Sequence, residues 1–156
     1  MMPRVSLSSG RSRASGQALV EFVLVAPVFF LLLFGIIEGG RFILYYQTLN
    51  NATREGARYA IVHGSNSSCP SGPMPPGDTA PACYDEPGLN VIQKVRDAAF
   101  GLLGDGVIVT PTWPGTQNAR NSAVSVAARY TYNTLLPLVP LPPITITAES
   151  TLVINN

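Results

Sequence analysis

From Gln17 to Ile37 the chain runs 21 residues with a single charge, Glu21, placed near the start. At a rise of about 1.5 Å per residue this run reaches about 31 Å as a helix, enough to cross a hydrocarbon core of about 30 Å. The run predicts one transmembrane helix over residues 17–38. Arg4, Arg11 and Arg13 precede it with no acidic residue among them, and Glu38 follows it. The positive-inside bias then leaves the N-terminus in the cytoplasm and everything after about residue 38 outside. A cleavable secretory signal fits less well. Its apolar core is usually about 7–15 residues and is followed by a small-x-small site. Here the longer run contains an acid and ends Ile36-Ile37-Glu38-Gly39-Gly40. A carboxylate at this depth costs a few kcal/mol unless it has a partner or reaches the headgroups, so Glu21 is a candidate functional residue. Pro27 removes one helical hydrogen bond in mid-run and favours a kink there.

Past the glycine pair, Phe42, Tyr45, Leu49, Ala52, Gly56 and Tyr59 recur at alternating intervals of three and four, which puts all six on one helical face. The spacing predicts an extended amphipathic helix over 39–62, supported on its polar side by a Glu55–Arg58 pair. Ala52 and Gly56 permit close approach of another element. That element is either the protein's own sheet or a neighbouring subunit, and the two are compatible.

Residues 64–88 form a Pro/Gly-rich loop that contains both cysteines, Cys69 and Cys83. On the outer side of a membrane an oxidising setting favours a disulfide between them, with free thiols or a metal pair as alternatives. One histidine in the chain and no Cys-x-x-Cys speak against metal. A second helix is expected over Asp85–Gly104, with Asp85 as cap, Pro87 in the first turn, and Leu89, Ile92, Val95, Ala99 and Leu102 on one face. Three strands follow: Val107–Thr110, stopped by Pro111 and Pro114; Ala123–Tyr132, with even-numbered residues inward; and Ile144–Ile154, again with even-numbered residues inward. Between the last two lies an apolar, proline-rich crossover, residues 135–143, which either packs on the domain or forms an exposed patch for a partner subunit or membrane. The fold class is α+β: a long membrane-spanning helix continuing into a small domain with a second helix and a short antiparallel sheet, residues 63–156 being exported.

Taken together, residues 16–61 resemble the TadE-like minor pilins (pseudopilins) of the tight-adherence (Tad) pilus system. The resemblance rests on Gly16-Gln17-Ala18-Leu19-Val20-Glu21-Phe22, Ala26-Pro27, Gly35-Ile36-Ile37-Glu38, Arg41, Asn51-Ala52, and Arg54-Glu55-Gly56-Ala57-Arg58-Tyr59-Ala60. It implies a pilin-like body, and a cytoplasmic leader, residues 1–16, removed by prepilin peptidase between Gly16 and Gln17. Glu21 would then lie about 6 Å along the helix from the new amino terminus, four residues of rise away. The Gln17 ammonium and the Glu21 carboxylate would offset one another in low dielectric, within one chain or between subunits. The implied partners are prepilin peptidase, other Tad pilins, the inner-membrane assembly platform and membrane lipid.

Removing residues 1–16 takes away three arginines, so a net charge of +1 becomes −2, which makes nucleic acid an unsuitable partner. Only 12% of residues are charged, about half the usual fraction. No Gly-x-Ser-x-Gly, phosphate-binding loop or His-Glu-x-x-His occurs, and His63 stands alone at a helix end. Asn51-Ala52-Thr53 and Asn66-Ser67-Ser68 match the short glycosylation pattern and carry little weight. The expected function is a non-enzymatic pilus subunit with no cofactor, metal or small-molecule substrate. The alternative is a single-pass anchored extracytoplasmic binding protein that joins no filament.

Overall fold

The computed structural model describes residues 11–99, 101, 103, 106–135 and 142–155, with side chains from residue 16 onward. Most of the expected leader, Leu102 and Gly104 of the expected second helix, and residues 136–141 of the crossover lie outside the described residues. The chain divides into two compact units, Met1–Gly39 and Gly40–Asn156.

In the first unit the described residues belong to helix α1, Arg11–Val62, which is continuous through Pro27 and through Gly39 and Gly40. Phe30 lies against both Phe29 and Phe34, with ring centroids 5.6 and 6.1 Å apart.

The second unit holds the remainder of α1, helix α2 (Leu89–Ala99), and strands β1 (Val107–Thr112), β2 (Ala123–Tyr132) and β3 (Ile144–Val153). The strands form one antiparallel sheet in the order β1-β2-β3. Val107 pairs with Tyr130 and Thr112 with Ser125; Ala123 pairs with Val153 and Tyr132 with Ile144. The alternation in β2 and β3 sends Val124, Val126, Ala128, Tyr132, Ile146 and Ala148 into the core, because successive strand side chains point to opposite faces; Ile154, just past β3, is buried with them, while Ile144 at the start of β3 is exposed.

Helix α1 meets this core along a broader band than a single stripe. Leu49, Ala52 and Gly56 are buried, and Phe42, Tyr45 and Tyr59 are half-buried. Thr53, Ala57 and Ala60 are buried as well. The second row exists because α1 is covered by two elements. A Cβ on Gly56 would overlap Val95 of α2 and touch Val126 of β2, so the protein's own second helix fills the space this glycine leaves. Thr53 enters the core at low cost, since its hydroxyl donates to the carbonyls of Leu49 (3.1 Å) and Asn50 (2.9 Å).

Two boundaries and one buried face differ from the sequence expectation. Strand β1 passes through Pro111 to Thr112. A proline lacks the ladder donor, but β1 is an edge strand and needs donors on one side only. Helix α2 begins at Leu89, not at Asp85, and Pro87 sits in the turn before it. Both Asp85 carboxylate oxygens accept amides of the first helical turn, from Leu89 (2.9 Å) and Asn90 (2.7 Å), which satisfies donors the helix itself cannot. The buried face of α2 is Val91, Val95 and Ala99, while Leu89 is exposed. The approach of Gly56 to Val95 and the Val91 carbonyl turns that row inward and leaves Leu89 outside.

Candidate functional site

Gly16, Gln17 and Glu21 all lie within α1 and are exposed. Nothing stands within 4 Å of where a Gly16 side chain would begin. Between Leu19 and Ile37 the large apolar side chains are exposed, from 38% at Phe34 to 74% at Ile36. None of the most apolar 18-residue window of this helix is buried, and the helix is long and apolar enough to cross a membrane. The core helix of a soluble domain would bury such a stretch; this one presents it on every side. A helix that is apolar all round belongs in a protein core or in lipid. Among the described residues this is the one helix long and apolar enough to cross a membrane, which suits a single-pass anchor.

Where α1 enters the second unit, its side chains form an aromatic cluster with the end of the sheet. Phe42 meets Tyr132 edge-on with centroids 5.6 Å apart, and Tyr45 stacks on Tyr130, also at 5.6 Å. The Arg41 guanidinium lies over Tyr45 and Tyr132, 5.7 and 5.6 Å from their centroids, within cation–π range. At the other end of this helical segment, His63 stacks on Tyr59 at 3.8 Å. Its Nδ1 lies 2.9 Å from the Tyr59 carbonyl, so the lone histidine finishes a helix.

The loop after His63 is tied down at several points. Cys69 and Cys83 form a disulfide. Ser71 and Asp85 make a parallel bridge, in which Gly72 donates to the Asp85 carbonyl (2.8 Å) and Asp85 to the Pro70 carbonyl (3.0 Å). Asn118, fully buried between β1 and β2, donates through Nδ2 to the carbonyls of Ser71 (3.1 Å) and Gly72 (3.2 Å). Its backbone amide donates to the Pro73 carbonyl at 2.6 Å. The Trp113 ring covers Gly72, where a side chain would overlap it and where φ is +96°. Neither Asn118 nor Trp113 carried a signal in the sequence, because both come from irregular segments without a period.

Among the described residues no three His, Cys, Asp or Glu side chains come together as a metal site. An open cleft is lined by Tyr46 and Asn50 of α1 with Thr110, Arg129, Thr147 and Glu149 of the sheet, and the Glu149 carboxylate there accepts the Ser125 hydroxyl at 2.6 Å. The distinctive surface is therefore the apolar helix with Glu21 near its start. Residues 16–58 match the family model described as TadE-like protein. The similarity to that family is confined to residues 16–58. The matched stretch begins at Gly16, includes Glu21 and Pro27, and ends within the band of α1 that packs on the domain. The disulfide loop and the sheet lie outside the TadE-like match. No curated protein and no solved structure matches the chain.

Proposed function

We propose that this TadE-like chain is a minor pilin of a Tad-type pilus, cut by prepilin peptidase between Gly16 and Gln17 and delivered from the inner membrane into the assembling fibre. The observation that carries this reading is one acidic residue, Glu21, in the otherwise uncharged and unburied apolar run 17–37 of α1, where the TadE-like match begins at Gly16. A plain anchor gains nothing from a carboxylate in that position, since it adds a desolvation cost. A subunit with a freed Gln17 ammonium gains a compensating charge, which also gives adjacent helices a means of setting their register. In this role the second unit is an exported body, and the partners are the peptidase, neighbouring pilins and the assembly platform in the membrane.

Glu21→Ala separates the pilin from a simple anchor. Expressed in the native host, the variant is expected to accumulate in the membrane fraction at the normal level while pili disappear from the cell surface in electron micrographs. Normal pilus number with Glu21→Ala would leave the carboxylate without an assembly role and favour the anchored binding protein.

A further inference from the structure

The two edges of the sheet are not alike. Just past β3, Ile154 donates to the Ser122 carbonyl at 2.9 Å, and these two residues continue the register in which Leu152 pairs with Val124. In an antiparallel ladder such bonded pairs alternate with pairs whose amides and carbonyls point away from one another. The even-numbered residues of β3 therefore bond to β2, and Thr145, Thr147, Glu149, Thr151 and Val153 turn their backbone groups to the free edge. Across β2 the odd-numbered residues then bond to β1, where the Thr112 hydroxyl also reaches the Ser125 carbonyl at 3.2 Å. That leaves Val107, Val109 and Pro111 of β1 on the opposite free edge. Pro111 has no amide to offer there, so β1 is blunted as edge strands commonly are. Strand β3 has ten residues, with no proline and no lysine. Among the described residues it pairs with β2 alone, and its five free-edge residues are exposed. Beside them opens the cleft between α1 and the sheet, about 460 Å³ in volume, with Tyr46, Asn50, Ala128 and Ala148 in its lining.

We propose that the free edge of β3 docks an extended segment of a different protein, which joins the sheet as a fourth strand and carries a lysine or arginine opposite Glu149. Main-chain hydrogen bonds supply the affinity in strand addition, and alternate side chains supply the choice of partner. Residues directly opposite one another share a face of the sheet. Side chains opposite Ile146 and Ala148 therefore turn toward the cleft, where two alanines leave room for apolar groups. The side chain opposite Glu149 meets the single charge of β3. One oxygen of that carboxylate accepts the Ser125 hydroxyl at 2.6 Å, which holds the group in place for a cation. A second copy of this chain does not supply one. Its edge strands are β1 and β3, and neither contains a lysine or arginine; two β3 strands side by side would bring like charges together. The inference stands apart from the pilin reading, since it needs only the edge of this sheet.

The test is photocrosslinking of the full chain in membranes of the native host, with p-benzoylphenylalanine replacing Thr151 on the free edge of β3 or, as a control, Ile108, an exposed residue of β1. The proposal predicts an adduct from position 151 and none with the same protein from position 108. Mass spectrometry of the adduct should place the crosslink in a segment where apolar residues alternate around a lysine or arginine. Thr147→Pro removes one free-edge amide and leaves the ladder to β2 intact, as Pro111 does in β1, so the adduct should fall about tenfold. Thr147→Ala keeps the amide and should leave the yield unchanged. Glu149→Lys alters no backbone group and should lower the yield severalfold, which keeps the test decisive if proline disturbs the strand. Absence of an adduct from position 151, or an adduct that survives both Thr147→Pro and Glu149→Lys, overturns the docking site. An adduct between two copies of this chain overturns the choice of partner.

Discussion

Asn118 ties the loop after α1 to the turn that joins β1 and β2, using one side-chain nitrogen for two carbonyls. Alanine at this position leaves the Ser71 and Gly72 carbonyls without that donor in a site closed to water. An unsatisfied buried polar group costs about 1–3 kcal/mol, so Asn118→Ala should lower the melting temperature of the detergent-solubilised protein measurably by circular dichroism. A change at this fully buried site that left the transition in place would show that the loop is held by other contacts alone. Asp85 acts on a single helix end. Losing its two amide contacts should cost about 0.5–2 kcal/mol, the usual range for a helix cap. Asp85→Asn should recover part of that loss, because the amide oxygen still accepts a hydrogen bond.

Among the elements, α1 and α2 meet at Gly56 with no space for a side chain. Gly56→Val must push Val95 or the α2 backbone aside, and overpacking of this kind costs about 1–3 kcal/mol. Thermal unfolding of Gly56→Val against Gly56→Ala should show a graded loss; equal stability would mean that α2 moves freely on α1. The helical continuation past Gly40, the even-numbered inward faces of β2 and, from Ile146 onward, of β3, and the α+β class were legible in the sequence, since each rests on a hydrophobic period of 3.6 or 2. The rotation of α2 that buries Val91 and exposes Leu89 was not. Two overlapping apolar rows existed on that helix, and the choice between them is made by a glycine more than thirty residues away. Strand β1 was read short at Pro111 because edge position, which makes the proline acceptable, is a property of the assembled sheet. Asn118 and Trp113 were invisible for a related reason: their partners are backbone groups of a distant loop, and no local pattern encodes such a meeting.

At the scale of the whole molecule, an exposed apolar helix serves the membrane, and a small domain is closed by its own helices, sheet and disulfide. The Cys69–Cys83 bond spans a sequence separation of 14, and a loop of about that length is worth roughly 3 kcal/mol in the chain-entropy model. Reduction should therefore destabilise the domain while leaving membrane association intact, which a melting curve and a carbonate-extraction assay with and without reductant distinguish. Detachment from the membrane on reduction would contradict the independence of anchor and domain. The proposed role depends most on the origin of the charge that offsets Glu21. Intact-mass spectrometry of the protein extracted from membranes of the native host measures this directly. The account predicts a chain that starts at Gln17, and a lasting population that still carries residues 1–16 in cells with active prepilin peptidase would contradict it.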